Sequence, residues 1–105
     1  QARDFVHVTD VARAWVDALD ATASYGQVIN LGTGQPTSVN QLADLVLAAF
    51  GHSRDTYPVE YRVAQAGDMR VSAADITRAQ ALLGWTPQVA INTGMAETIA
   101  WARNS

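Results

Sequence analysis

Apolar residues follow two different periods along this chain, and together they predict alternating strands and helices. Residues 5–8 and 27–31 are rich in apolar and β-branched side chains, which is typical of strands. Asp10 is placed to cap a helix between them. The apolar face of that helix, with side chains three or four positions apart, consists of Val11, Ala14, Trp15, Ala18 and Leu19. A strand, a helix and a strand in this order predict a right-handed βαβ unit with parallel strands.

The clearest helix start in the sequence lies at Ser38, after a loop at residues 32–37. Gln41 follows three positions later, which is the spacing of a capping box, where each side chain bonds the other residue's backbone amide. The apolar stripe of this helix consists of Val39, Leu42, Ala43, Val46, Ala49 and Phe50. Gly51 comes next and can adopt the left-handed conformation that commonly ends a helix.

The second half of the chain predicts one more strand and two more helices. Residues 59–63 alternate as in a strand, and residues 66–68 indicate a turn. A short helix is expected at residues 75–83, and Gly84 ends it. The last helix begins near residue 93, and its apolar face uses Met95, Ile99 and Trp101. The sequence therefore predicts a small α/β module with about four helices, and we expect residues 1–105 to form one unit.

Composition excludes several classes of function. The chain has 105 residues, of which 49% are hydrophobic and 16% charged, so it is expected to be globular and not disordered. Its net charge of −3 and the lack of a basic face argue against a nucleic-acid partner. The apolar runs are too short to span a membrane. The chain has no cysteine and only two histidines, so neither a disulfide nor a zinc site is expected.

Four short motifs occur in the order found at the C-terminal end of extended short-chain dehydrogenases/reductases. They are R-D-F-V-H-V-T-D-V-A at residues 3–12, N-L-G-T-G at 30–34, G-D-M-R at 67–70 followed by A-D-I-T-R-A at 74–79, and L-L-G-W-T-P at 82–87. Each motif is weak alone, but together they cover nearly the whole chain. The chain thus resembles the C-terminal part of the NAD-dependent epimerase/dehydratase family, as in UDP-glucose 4-epimerase-like enzymes.

The resemblance implies a division of labour. In that family an N-terminal Rossmann domain binds NAD and supplies a Tyr-x-x-x-Lys pair, while the C-terminal part binds the nucleotide sugar. Here the only Gly-x-Gly after a predicted strand is at residues 32–34, and Thr37 stands where a dinucleotide fingerprint needs another glycine. All seven basic residues are arginine, so no Tyr-x-x-x-Lys pair exists. We therefore expect NAD in the complete enzyme, and neither NAD binding nor catalysis by this chain alone.

Two residues that match the family's substrate contacts are Arg3 and Asp68. The resemblance assigns Arg3 to the diphosphate, and a guanidinium suits that task because its planar donors match phosphate oxygens. The alternative is a surface arginine paired with Asp4 or Asp10. The resemblance assigns Asp68 to the ribose hydroxyls, and the alternative is a turn aspartate bonded to nearby backbone amides.

Gln65 departs from the family pattern, because a second phosphate-binding arginine usually occupies that position. A glutamine still donates a hydrogen bond but carries no charge, which would lower affinity for a nucleoside diphosphate sugar by about tenfold. Arg62 or Arg70 could compensate. Otherwise the substrate differs, or the site has lost binding. The residues expected to bind substrate are therefore Arg3, Gln65, Asp68 and Arg70.

Other polar and aromatic residues are expected to be structural. His7 is interpreted as a hydrogen-bonded packing residue, Asp75 as a helix cap and Glu97 as a solvated charge. The three tryptophans are expected to be core or packing residues, and the alternative is a platform for stacking a sugar: Trp15, Trp85 and Trp101.

Three readings of function remain open at this point. The chain is the nucleotide-sugar-binding portion of a sugar epimerase or dehydratase, a non-catalytic interaction or oligomerisation module, or a fragment of an ordinary enzyme. Since the first residue is Gln1, residues are either missing or were removed from something longer. A cytoplasmic location is expected, because nothing in the sequence directs export and such families use nucleotide sugars made there.

Overall fold

A computed structural model of the chain describes residues 1–60 and 71–104. The elements, in order, are β1 (Ala2–Arg3), α1 (Val8–Asp20), a 3-10 turn (Thr22–Ser24), β2 (Thr37–Ser38), α2 (Val39–Ala49), a π-helical turn (Ala79–Leu83) and α3 (Ile91–Arg103). The expected small α/β fold with about four helices is confirmed for this part of the chain. No helix within it is both long and apolar enough to cross a bilayer.

The strands differ from the prediction in position and direction. β1 and β2 are two residues long and antiparallel, with Ala2 opposite Ser38. Residues 5–8 and 27–31 contain no strand, and Val8 already belongs to α1. A strand is held by hydrogen bonds to a neighbouring strand, so an apolar composition alone does not produce one. The predicted parallel arrangement is therefore wrong, although a strand, a helix and a strand do follow in that order.

The helix ends show how far local chemistry determined the fold. The Ser38 hydroxyl accepts a hydrogen bond from the Gln41 amide, and the Gln41 side chain accepts one from the Ser38 amide, both at 3.0 Å. This confirms the predicted capping box. Gly51 follows Phe50, the C-cap residue of α2, and Gly84 directly follows Leu83. Their φ values of 75° and 63° are those expected for left-handed helix terminators. The last helix begins at Ile91, two residues before the predicted start.

Asp10 is buried in the first turn of α1 and does not cap it. His7 is the N-cap residue instead. The Asp10 carboxylate, only 2% exposed, accepts hydrogen bonds from the backbone amides of Gln88 at 3.1 Å and Val89 at 3.0 Å. Arg13 donates to it at 3.1 Å. The predicted cap is therefore wrong, because a distant loop supplies better-placed donors than the helix does.

Trp85 is the centre of the core. It is 1% exposed and packs with Ala14 and Ala79. Its indole N–H donates to the Asp10 carbonyl at 2.8 Å, so the polar atom of a buried tryptophan is satisfied. The surrounding half-buried apolar side chains are Val6, Ile29, Leu31, Ile76 and Leu83. The core thus joins α1, the π-helical turn and the segment that precedes α3.

The other two tryptophans do not lie in the core. Trp15 on α1 is 73% exposed and Trp101 on α3 is 72% exposed, so within the described chain neither is the core or packing residue that was expected. Both lie on helices, as their spacing predicts, but the described residues leave them exposed. The strand and turn predicted at residues 59–63 and 66–68 lie largely outside the described residues.

Replacing Asp10 by asparagine should strongly destabilise the fold. The new amide nitrogen would face the backbone N–H groups of Gln88 and Val89, and the charged bond to Arg13 would be lost. We expect the free energy of unfolding to fall by about 3 kcal/mol, measured by urea denaturation. The matched control is Asp20→Asn at the exposed end of α1, which should change stability by no more than about 0.5 kcal/mol. Equal losses in the two variants would contradict this role of Asp10.

Candidate functional site

Arg3 lies in β1, whose backbone has neighbours on two sides. On one side Arg3 stands opposite Thr37 of β2. On the other side Ala2 forms a bridge with Val71, and the Ser72 amide donates to the Ala2 carbonyl at 3.0 Å. Arg3 is half-buried, and its Nη1 donates to the Ala2 carbonyl at 3.2 Å. The backbone that carries this guanidinium is therefore well anchored.

Asp4, the next residue, is the most heavily bonded side chain of this region. One carboxylate oxygen accepts from the Thr33 amide and the Thr33 hydroxyl, both at 2.7 Å. The other accepts from the amides of Gly34 at 2.9 Å and Ala74 at 3.0 Å. Asp4 therefore joins the end of β1 to two loops that are distant in sequence.

These hydrogen bonds also set the charge state of Asp4. Burial alone raises the pKa of the Asp4 carboxyl, but the bonds from Thr33, Ala74 and Gly34 stabilise the carboxylate more strongly. The net pKa is lower than its ordinary value of 3.8. Asp4 is thus held as an anion at neutral pH.

Gly32 makes room for the Asp4 carboxylate. A Cβ atom at Gly32 would lie 2.6 Å from an Asp4 oxygen and 2.7 Å from the Ala74 Cβ atom, and neither distance is compatible with a side chain. The amides that follow, at Thr33 and Gly34, already bond Asp4. This glycine turn therefore holds a carboxylate of its own chain and does not fit a dinucleotide pyrophosphate.

Asp4 was considered in the sequence only as a partner for Arg3. In the structure, the carboxylates of Asp4 and Asp10 both accept hydrogen bonds from backbone amides of loops that are distant in sequence. The sequence feature that indicates an anion-binding turn is the glycine turn at residues 32–34, because closely spaced amides in such turns favour anions. The sequence did not show that the anion would come from Asp4.

The other three predicted substrate residues, Gln65, Asp68 and Arg70, lie outside the described residues. The chain is described again from Val71, whose backbone pairs with β1 next to Arg3. In the sequence Val71 follows Asp68 by three positions. The grouping of these residues with Arg3 stays a prediction.

A cavity of about 590 Å³ opens beside the start of α1, lined by Val6, His7, Val8, Glu97, Thr98 and Trp101. His7 Nε2 lies 3.3 Å from a carboxylate oxygen of Glu97 on α3. The expectation that His7 is a hydrogen-bonded packing residue is confirmed. The Glu97 side chain is 58% exposed, as expected for a solvated charge, and it also contacts His7.

Asp75 bonds its neighbour at the start of the short third helix. It accepts from the Thr77 amide at 3.0 Å and from the Thr77 hydroxyl at 2.6 Å, and these bonds lower the pKa of its exposed carboxyl. The N-cap position of the turn at Ala79–Leu83 is Arg78 and not Asp75, so these local bonds do not cap that turn as expected. In residues 1–60 and 71–104, no group of three or more histidine, aspartate or glutamate side chains could hold a metal ion.

Residues 1–98 match the GDP-mannose 4,6 dehydratase family. A UDP-glucose 4-epimerase of Mycolicibacterium smegmatis is 41% identical over 102 residues, which is 97% of this chain and 31% of the relative. A UDP-glucuronate 4-epimerase of Thermodesulfobacterium geofontis is 33% identical over 106 residues, which is 100% of this chain and 31% of the relative.

Solved structures show the same relationship. The UDP-glucose 4-epimerase of Thermotoga maritima with UDP-glucose superimposes with a TM-score of 0.81 at 38% identity, covering 96% of this chain and 31% of that one. MoeE5 in complex with UDP-glucose and NAD superimposes with a TM-score of 0.86 at 36% identity, covering 99% of this chain and 34% of that one.

The chain thus spans about a third of the length of the proteins that it matches. The resemblance to the C-terminal part of the extended short-chain dehydrogenases/reductases is confirmed. Because the family match covers nearly the whole sequence, this chain belongs to the GDP-mannose 4,6 dehydratase family.

Proposed function

We propose that this chain is the nucleotide-sugar-binding portion of an NAD-dependent sugar epimerase or dehydratase. The observation that carries the proposal is the anchored position of Arg3 on β1, between β2 and Val71. Solved structures that match at 36–38% identity contain UDP-glucose, and one also contains NAD. Residues 1–105 would act as one module, in the cytoplasm, where nucleotide sugars are available.

The role of Arg3 would be to hold the diphosphate of the substrate. A guanidinium gives two parallel charged hydrogen bonds to phosphate oxygens, which sets both the position and the orientation of the ligand. Asp4 would act as a positioning residue, since its bonds to Thr33, Gly34 and Ala74 hold the end of β1. Gln65, Asp68 and Arg70 are proposed to complete the site.

Catalysis would need a further part of the enzyme. Bound NAD would supply the acceptor and donor of hydride, and the glycine turn at residues 32–34 is already filled by Asp4. This chain has no lysine to form the acid-base pair of the family. Its own contribution would be affinity and orientation, which lower a reaction barrier by positioning the reacting groups.

One face of the chain favours a partner, which also supports a second candidate function. Trp15 and Leu19 on α1 are largely exposed, and Val28 is 78% exposed. Ile29 and Leu31 pack on the core, so residues 27–31 alternate as a strand does, yet they form no ladder within the described chain. We propose that the exposed apolar face, which carries Trp15 and Leu19, docks on a Rossmann domain. The alternative is an oligomerisation module that buries the same face against a second copy.

Replacing Arg3 should weaken nucleotide-sugar binding. In an NMR titration with UDP-glucose, we expect Arg3→Ala to raise the Kd at least about tenfold, because a charged hydrogen bond to phosphate is lost. The Kd of Arg3→Lys should lie between those of the wild type and Arg3→Ala, because lysine keeps the charge but not the planar guanidinium. Arg103→Ala is the control, because Arg103 stacks over Phe50 at the end of α3. Unchanged affinity in Arg3→Ala would count against the proposed role.

Asp4→Asn should remove one component of the pH dependence of stability. Because the folded pKa of Asp4 is lowered, its stabilisation is full above the ordinary pKa of 3.8 and is lost as the pH falls through the folded value. We expect the variant to be less stable than the wild type by about 2 kcal/mol at pH 7. The difference should shrink below about pH 4. Urea unfolding at several pH values measures the difference in the free energy of unfolding between the wild type and the variant. A difference that stays constant down to about pH 2 would exclude this mechanism.

The exposed face should cause self-association of the isolated chain. Sedimentation velocity should show species larger than a monomer for the wild type, because exposed apolar patches associate. The double variant Trp15→Gln, Leu19→Gln should sediment as a monomer. Tyr57→Gln, which removes an exposed aromatic side chain elsewhere, should behave as the wild type does. A monomeric wild type at high concentration would rule out the oligomerisation module.

A further inference from the structure

His7 links the first turn of α1 to the middle of α3. Its Nδ1 atom accepts a hydrogen bond from the Thr9 amide at 3.2 Å and lies 2.7 Å from the Thr9 hydroxyl oxygen. Its Nε2 atom lies 3.3 Å from a carboxylate oxygen of Glu97. Because Nδ1 accepts from an amide, the neutral ring carries its proton on Nε2 and donates it to Glu97.

The ring is tightly enclosed, which commits both nitrogens to these partners. The His7 side chain is only 10% exposed. It packs on Gly94 of α3, where a Cβ atom would lie 2.9 Å from the His7 Cδ2 atom. A Cβ atom there would also lie 3.3 Å from Val89, so the ring occupies space that only glycine leaves open. The ring cannot easily turn to present a different nitrogen to Thr9.

Protonation would change one of these bonds and strengthen the other. A protonated ring donates from both nitrogens, so Nδ1 could no longer accept from the Thr9 amide and the N-cap of α1 would be lost. A positive charge at a helix N-terminus is also unfavourable. In contrast, the contact between Nε2 and Glu97 would become a charged hydrogen bond.

The remaining charged groups near the start of α1 have other partners. The Asp10 carboxylate bonds the amides of Gln88 and Val89, and Arg13 bonds Asp10 and the Thr86 carbonyl. On β1 and just after it, Arg3 donates to the Ala2 carbonyl, and the Asp4 carboxylate is directed to the loop at residues 32–34 and to Ala74. Val89, which packs against Gly94 beside the ring, carries no charge. Glu97 is therefore the charged group that contacts His7 in the described chain.

We propose that His7 is a pH-sensitive latch between α1 and α3. At neutral pH the ring caps α1. On acidification it releases the Thr9 amide and binds Glu97 more tightly, so that the first turn of α1 loosens while its contact with α3 is kept. Histidine is suited to this task because it ordinarily changes charge between about pH 5 and 8. This inference does not depend on the proposed substrate.

The test is an NMR titration of the 105-residue chain between about pH 8 and 5. The Thr9 amide proton should shift upfield as its hydrogen bond is lost, with the same midpoint as the His7 ring protons. Exchange of that amide with water, corrected for the intrinsic pH effect, should become about fivefold faster. The amide of Ile99, buried on α3, should not follow this midpoint.

Two variants separate the latch from a general effect of pH. His7→Asn keeps a good N-cap side chain that does not titrate, so the Thr9 shift should become flat. Glu97→Gln removes the charged partner of Nε2 but leaves Nδ1 facing Thr9, so the Thr9 titration should persist in this variant. His52→Gln serves as the control for the other histidine and should leave the Thr9 titration unchanged. A flat Thr9 titration in the wild type, or one that persists in His7→Asn, would overturn the proposal.

Discussion

Carboxylates that accept hydrogen bonds from backbone amides of remote loops, one buried at Asp10 and one partly buried at Asp4, are the interaction on which this structure depends. The two strands are only two residues long, so a sheet contributes little to the order of the chain. Asp10 instead ties α1 to the loop before α3, and Asp4 ties β1 to the glycine turn and to Ala74. Each carboxylate satisfies donors that would otherwise be unpaired in partly buried loops. The position of Arg3 follows from this arrangement.

The parts of the fold that could be predicted from the sequence are those decided by local chemistry. The capping box of Ser38 and Gln41 and the left-handed glycines at the ends of two helices depend on residues a few positions apart. The carboxylate contacts could not be predicted in the same way. Asp10 has the position of a helix cap, but its partners are nearly eighty residues away. Nothing in the local pattern distinguishes a local donor from a remote one.

The errors in the strands and the tryptophans have a common physical cause. Residues 27–31 have the alternation of a strand, and Trp15 and Trp101 have helical spacing, but each needs a surface to pack against. Such a surface is not supplied by the residues that the structure describes. The chain spans about a third of its relatives' length, and the proposed Rossmann partner would cover the apolar face that is exposed here. Of the candidate site, only Arg3 lies in the described part, and its anchoring by β1 could not be foreseen from a motif.

We propose that residues 1–105 recognise the diphosphate of a nucleotide sugar through Arg3. The most direct measurement is the ³¹P NMR spectrum of UDP-glucose as the chain is added. If the guanidinium of Arg3 binds these oxygens as proposed, both phosphorus signals should shift or broaden in a saturable manner. Phosphorus signals that stay unchanged in a large excess of folded chain would contradict it.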